Sequence, residues 1–272
     1  MKEPAKKLNV LITGAASGIG RAVADAFFQN GHTVYALDIN APNFLSVPSV
    51  RYFKADVTSP EDLQQIAEKL REEGVVLDII ANFAGVHIMG SFIEAEYAEI
   101  ARVMQINLLG AILVNKTFHS LLKKDGRILI TSSEVAAYDP LPFNGIYNVS
   151  KSAVDVYAHA LRQELNLLGQ KVITLRPGAV ETPLARGSAS ATERLCQTTQ
   201  LYKKQSKHFC SLVEKFTGTP MPAEAFANYV YKISLKKRPR YVYTKHANVG
   251  LTLLNVLPKR LQCFLIKTIL RR

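Results

Sequence analysis

Short apolar runs rich in β-branched residues recur at residues 8–13, 33–37, 50–54, 77–81, 127–131 and 171–175. Most are separated by longer segments whose apolar positions have helical spacing. Two of these segments carry clear end signals. Residues 19–28 close on Asn30-Gly31, a C-cap pattern, and residues 59–73 open on Ser59-Pro60-Glu61-Asp62, which reads as N-cap, N1 proline and acidic first turn. Strands alternating with helices predict right-handed crossovers and a parallel sheet covered on both faces, the doubly wound α/β arrangement.

No Gly-, Ser- or Pro-rich linker divides the first 185 residues and no internal repeat is visible, so a single domain is expected over 1–245. After Pro183 the rhythm changes. Residues 184–220 are polar and helical in character, the expected place of substrate-loop helices. A short Tyr-Val-Tyr strand candidate begins near residue 241, and residues 246–272 form a Leu-rich basic tail.

Composition narrows the class. With 272 residues, 48% of them hydrophobic, the chain can bury a sizeable core. Cys196, Cys210 and Cys263 are odd in number and widely spaced, with no disulfide framework and no zinc spacing. They fit a reducing cytoplasm. The first apolar run stops at Thr13-Gly14, too short for a signal peptide. No stretch approaches the roughly 18 to 20 uninterrupted apolar residues of a membrane-spanning helix, so an integral membrane protein is not expected.

The net charge of +12 suggests a nucleic-acid partner until it is located. Residues 1–200 hold 19 Lys/Arg against 20 Asp/Glu, and residues 201–272 hold 15 against 2, with no acidic residue after Glu224. The excess is confined to the C-terminal quarter. There is no basic groove interleaved with aromatics, so no nucleic-acid partner is expected. The six histidines (32, 87, 119, 159, 208, 246) lack metal-ligand spacing, so no metal is expected, and His87 reads as pocket wall.

After the first strand comes Thr13-Gly14-Ala15-Ala16-Ser17-Gly18-Ile19-Gly20, running into a helix near Arg21. Glycines allow a sharp turn and close approach of a pyrophosphate to the positive end of the helix. Asp38 ends the second strand near the 20-residue offset at which a carboxylate meets adenosine ribose hydroxyls. A carboxylate there repels the extra phosphate of NADP, and neither Ser17 nor Ile39 supplies a cation, so NAD is the expected cofactor; a turn-capping aspartate is the plainer reading of Asp38. Tyr147 and Lys151, four apart at the start of a helical segment, share one face. An ammonium near a phenol favours the phenolate, which then serves as a general base.

The chain resembles the short-chain dehydrogenase/reductase family. The resemblance runs from Leu8 to about Thr182 and rests on ordered motifs: the glycine turn, Asp38, Asp56-Val57, Asn82-Phe83-Ala84-Gly85, Asn107, Ser132-Ser133, Tyr147-Asn148-Val149-Ser150-Lys151, and Pro177-Gly178 followed by Thr182. It implies a catalytic set of Asn107, Ser133, Tyr147 and Lys151. Lys151 would also hold the nicotinamide ribose, Ser133 would bond the substrate oxygen, with Ser132 competing for that role, and Asn107 would hold a relay water unless it is an ordinary buried amide. The implied cofactor contacts are Gly14, Ser17, Gly18, Ile19, Gly20, Asp38, Asp56, Val57, Asn82, Ala84, Gly85, Tyr147, Lys151, Pro177, Gly178, Val180 and Thr182. Phe83 replaces the second asparagine of the family's pair. The serine-to-tyrosine separation is fourteen, one above the family habit, which puts the substrate-side loop at 139–144 in doubt. The resemblance also implies a homodimer or homotetramer through helices around 98–119 and 150–168.

Past Pro258, Leu261, Phe264, Leu265 and Ile269 share one helical face, and Arg260, Lys267 and Arg271 share another. The tail, 258–272, is either an interfacial helix on anionic lipid or a cover with its apolar face packed over the cleft. Either suits a lipophilic alcohol or ketone: a steroid, a retinoid or a long-chain lipid. The leading expectation is a cytoplasmic NAD-linked alcohol dehydrogenase, either free or peripheral at a membrane surface. Its alternatives are an NADPH-linked ketone reductase, for example on 3-oxoacyl thioesters, and an NAD-binding regulatory protein without turnover.

Overall fold

The computed structural model describes residues 7–40, 49–216 and 218–271. Seven strands form one parallel sheet: β1 (Asn9–Thr13), β2 (Thr33–Asp38), β3 (Val50–Lys54), β4 (Leu77–Asn82), β5 (Leu122–Thr131), β6 (Lys171–Pro177) and β9 (Val242–Lys245). Their order is β3-β2-β1-β4-β5-β6-β9. The expected doubly wound sheet is therefore present, and its order reverses between β1 and β4, the place where such sheets open a crevice for ligands. Two short strands, β7 (Val180–Glu181) and β8 (Met221–Pro222), pair outside it.

Alternate strand residues feed two cores. Leu11, Leu37, Ile80, Ile128 and Val172 face α2 (Pro60–Glu72), α4 (Gly110–Phe118) and α5 (Gly145–Asn166). Val10, Ile12, Val34, Ile79, Leu129 and Ile173 face α1 (Gly18–Gln29) and α8 (Ala223–Ser234). The inner strands are covered on both sides, which is why their runs read as continuously apolar, whereas the edge strands β3 and β9 are partly exposed.

The end signals work as expected. The Ser59 hydroxyl accepts from the Asp62 amide at 3.2 Å, and Gly31 takes φ 82 after α1. β5 starts at Leu122 rather than 127, because Leu122 pairs with Leu77 across a register shift. The sequence reading also missed α8, which packs Phe226, Val230 and Ile233 on the α1 side of the sheet.

One segment bears on the membrane expectation. α3 (Tyr97–Met104), a π-helical turn (Gln105–Leu109) and α4 run on as a helix, Tyr97–Leu121, of mean hydropathy 1.3, long and apolar enough by length and composition to cross a bilayer. Its inner face nonetheless belongs to the domain: Val103, Asn107, Gly110, Val114, Asn115 and Phe118 are buried. The chain ends in four further helices: α6 (Pro183–Thr198) and α7 (Lys203–Phe216) before α8, and α9 (Val249–Val256) and α10 (Lys259–Arg271) after β9.

α10 departs from the packed-cover alternative. It meets the domain through Gln262, Ile266 and Leu270, while Leu261, Phe264 and Ile269 of the expected packing face are exposed and Leu265 is half-exposed.

Candidate active site

The glycine turn sits at the crevice between β1 and β4. Gly14 takes φ 67 and Gly18 φ 56, and a Cβ on Gly14 would lie 2.7 Å from the Ala84 amide nitrogen. Gly20 is tighter, its added Cβ falling 2.1 Å from the Gly14 carbonyl oxygen. Turn, first helical residues and the Phe83-Ala84 segment are thus closed on one another, and the Thr13 hydroxyl accepts from the amides of Phe83 and Ala84 at 3.2 and 3.3 Å. The buried Thr13 was missed in the sequence, where it reads as an ordinary strand end. Ser17 stands at the N-cap of α1 without a side-chain capping bond, Ile19 is half-buried, and the first turn of α1 holds no acidic residue to offset its positive end.

Asp38 ends β2 and caps the turn, as the plainer of its two readings expected. One carboxylate oxygen accepts from the Ala16 amide and the other from the Asn40 amide, each at 2.9 Å. A carboxylate is therefore held rigidly against the glycine turn. Asp56 is exposed and bonds Thr58, while Val57 beside it is buried and packs near Gly110. Asn82 turns inward: its amide donates to Asn115 Oδ1 at 2.9 Å and to the Leu129 carbonyl, and its own Oδ1 has no partner among the described residues. Ala84 and Gly85, by contrast, line the crevice beside the turn and beside Lys151, whose Nζ would be 3.4 Å from a Cβ on Gly85. A phosphate-binding helix end, a fixed carboxylate at the second strand and small residues between them fit a dinucleotide.

The four expected catalytic residues converge at the carboxyl ends of β4 and β5. Ser132 and Ser133 follow β5 and divide their work. The Ser132 hydroxyl donates to the Lys151 carbonyl at 3.0 Å, locking α5 to the sheet. The Ser133 hydroxyl remains beside Tyr147, with which it hydrogen-bonds. Asn107 is 2% exposed inside the π-helical turn. Its Oδ1 accepts from the Val86 amide at 2.8 Å, and its Nδ2 donates to the Val86 carbonyl and to Ser150 Oγ. The amide is therefore spent on protein groups, and it pins the Gly85-Val86 loop to α5. Ser150 completes that pin by donating to the Tyr147 carbonyl at 2.8 Å, a contribution hidden in the sequence because serine inside a helix carries no signal.

Burial dominates the charges. Desolvation pushes the Tyr147 phenol up to about 12; the Ser133 hydrogen bond opposes this and the Glu134 charge adds to it. Desolvation pulls the Lys151 ammonium down to about 8. The expected acidification of the phenol by Lys151 is thus not seen in the protein alone, where burial raises the phenol instead. The Nζ lies 5.8 Å from the phenol ring centroid and donates to the Thr131 carbonyl at 3.1 Å. His87 stacks edge-on against Tyr147, with ring centroids 4.5 Å apart, and its pKa is lowered chiefly by burial, so it is a neutral wall.

The doubtful loop has a definite shape. Phe143 takes φ 63, in the left-handed region, where a non-glycine residue costs about 1–2 kcal/mol. Its ring offsets this by burial, edge-on to Tyr202 and Phe209 at 5.3 Å each, in a cluster with Leu195 and Leu270. The extra residue is absorbed by turning Phe143 into an apolar wall built from α6, α7 and α10. Cys196 and Cys210 of that wall, fourteen apart in sequence, are free thiols with sulfurs 2.8 Å apart. On the other side, Pro177 ends β6 and the Gly178 amide donates to the Lys245 carbonyl at 2.9 Å. Val180 and Thr182 follow and are buried.

Comparison with known proteins agrees with this geometry. Residues 8–193 match the family model described as short chain dehydrogenase. The chain is 31% identical over 231 residues, 82% of its own length and 76% of the other, to an NADPH-dependent 1-acyldihydroxyacetone phosphate reductase of Schizosaccharomyces pombe. It is 32% identical over 206 residues to estradiol 17-beta-dehydrogenase 2 of Rattus norvegicus, covering 71% of this chain and 53% of that one. Among solved structures, a short-chain dehydrogenase from Streptomyces avermitilis superposes with a TM-score of 0.77 at 18% identity, over 98% of both chains. The fold and site define a dinucleotide-dependent oxidoreductase. The chain belongs to the short-chain dehydrogenase family.

Proposed function

We propose that this protein interconverts a secondary alcohol and a ketone on a lipophilic molecule with NAD(H), Tyr147 acting as general acid and base. The observation that carries the reading is the hydrogen-bonded Ser133–Tyr147 pair, set beside buried Lys151 and walled by the apolar cluster around Phe143. A bound nicotinamide dinucleotide supplies or accepts the hydride and, when oxidised, brings a positive charge to the crevice. The protein's own part is then proton chemistry. Ser133 holds the substrate oxygen, Tyr147 Oη takes or gives its proton, and Lys151 offers ammonium donors beside the phenol. Steroid, retinoid and long-chain alcohols suit the apolar wall, and the relatives named for an estradiol and for an acyl lipid act in the same chemical range.

A second reading, an NADPH-linked ketone reductase, is favoured by the name of the Schizosaccharomyces pombe relative. The carboxylate of Asp38, fixed on the Ala16 amide, argues for NAD. Steady-state kinetics with both cofactors on a panel of hydroxysteroids, retinol and aliphatic secondary alcohols decides between them. Wild type should prefer NAD, and Asp38→Ala with Ile39→Arg should move the preference toward NADP by about 1–3 kcal/mol. A wild-type preference for NADP overturns the reading of Asp38. We place the enzyme in the cytoplasm as a homodimer or homotetramer, pairing through the outer faces of α4 and α5, where Val149 and Val156 are exposed.

A further inference from the structure

α9 and α10 turn apolar side chains outward. α10 is held to the domain by Gln262, Ile266 and Leu270, four residues apart on one face, so its opposite face carries Leu261 and Phe264, the latter 62% exposed. α9 exposes Val249, Leu253 and Val256, at 71, 66 and 79%, with the i, i+4, i+7 spacing of a single stripe. Lone exposed apolar residues are ordinary, but stripes on two successive helices mark a surface that meets something.

The charge around them identifies the partner. On α10, Arg260, Lys267 and Arg271 flank the Leu261 and Phe264 side and are exposed, and Lys259 lies at the helix start. No acidic residue follows Glu224 anywhere in the chain. An apolar strip edged by cations is built for the headgroup zone of an anionic bilayer, where Leu and Phe enter the acyl boundary while Arg and Lys stems lie along it and reach phosphates. Pairing of this face with the same face of a second copy would set cations against cations, since the segment holds no acidic residue to offset them.

The stripes are tied to the chemistry. The Glu134 carboxylate, one residue after Ser133, accepts from the Asn248 amide at 2.6 Å. Tyr138 and Thr252 share a hydroxyl bond at 2.8 Å, and the Asp139 amide donates to Asn255 Oδ1 at 2.9 Å. The Asp139 carboxylate accepts from Gln262 at 3.0 Å and pairs with Lys259. Both helices are thus fastened to the loop joining Ser133 to Tyr147.

We propose that α9 and α10 lay their exposed apolar stripes on an anionic lipid bilayer and so hold the active-site loop at the membrane surface. The docking rests on exposure and charge, while delivery of substrate from the bilayer rests on the lipophilic reading above.

Sedimentation of the full chain with vesicles of phosphatidylcholine alone, and of phosphatidylcholine mixed with phosphatidylserine, tests the docking without any substrate, so it stands apart from the substrate assignment. Wild type should partition at least roughly tenfold more strongly onto the mixed vesicles, and salt should weaken that preference by screening. Leu253→Ser with Phe264→Ser should lose roughly tenfold or more in partitioning, while cofactor affinity and turnover of a water-soluble secondary alcohol stay unchanged. Lys267→Glu with Arg271→Glu should abolish the preference for the anionic lipid. Absence of wild-type binding to either vesicle overturns the proposal, as does equal binding by the serine variant. A wild-type dimer that the serine variant converts to monomer, without vesicle binding, would assign the surface to a second copy and also overturn it.

Discussion

Lys151 shows how the site's chemistry opposes its stability. Holding the ammonium at about 8 instead of its usual value costs the folded, cofactor-free protein about 3 kcal/mol at neutral pH. Because the folded value is the lower one, the unfolded chain binds more protons between about pH 8 and 10, and stability rises with pH across that window. Lys151→Met removes the cost but leaves the Thr131 carbonyl without its donor, which returns about 1 kcal/mol. Denaturant melts at pH 7 should therefore show the variant about 2 kcal/mol more stable and without the rise, although its turnover is lost. An equal or lower stability would mean that the buried ammonium is better solvated than its surroundings indicate. The motif made this residue legible, but not its strain, because desolvation depends on what the fold packs around a side chain. The same holds for the two serines. Only the structure shows that the Ser132 hydroxyl is taken up by the Lys151 carbonyl, which separates it from Ser133.

Elements were legible where local chemistry decides them and misread where tertiary contacts do. The Ser59 cap, the Asn30-Gly31 stop and the strand runs follow from short-range rules, and the structure keeps them. The tail needed more than periodicity. Leu261, Phe264, Leu265 and Ile269 do group on one side of α10, yet the helix docks by Gln262, Ile266 and Leu270, because Asp139 and the cluster around Phe143 receive that side. The consequence is measurable. Leu270 is 8% exposed in the cluster that supports Phe143 in its left-handed conformation. Leu270→Ala should cost about 2–4 kcal/mol in denaturant unfolding and raise KM for bulky apolar substrates, whereas Phe264→Ala should change stability by less than about 0.5 kcal/mol. Equal costs for the two would mean that α10 is rotated from the position described.

At the scale of the molecule, the parallel sheet brings the glycine turn, Asp38, Ser133, Tyr147 and Lys151 to the carboxyl edges of neighbouring strands, although they span more than a hundred residues of chain. Their order in the sequence disclosed the family. The apolar wall and the α9 stripe did not show there, and the Leu261–Phe264 face of α10 showed without its direction, since all depend on which helix faces turn inward. The central claim, that Tyr147 carries the proton of an alcohol–ketone interconversion, is met most directly by Tyr147→Phe, which keeps the ring's packing against His87 and deletes only the hydroxyl. Stopped-flow absorbance of the reduced cofactor, with a hydroxysteroid or long-chain secondary alcohol and saturating NAD, should show turnover lower by at least roughly a hundredfold, with NAD affinity within about twofold of wild type. Turnover close to that of wild type would contradict the account.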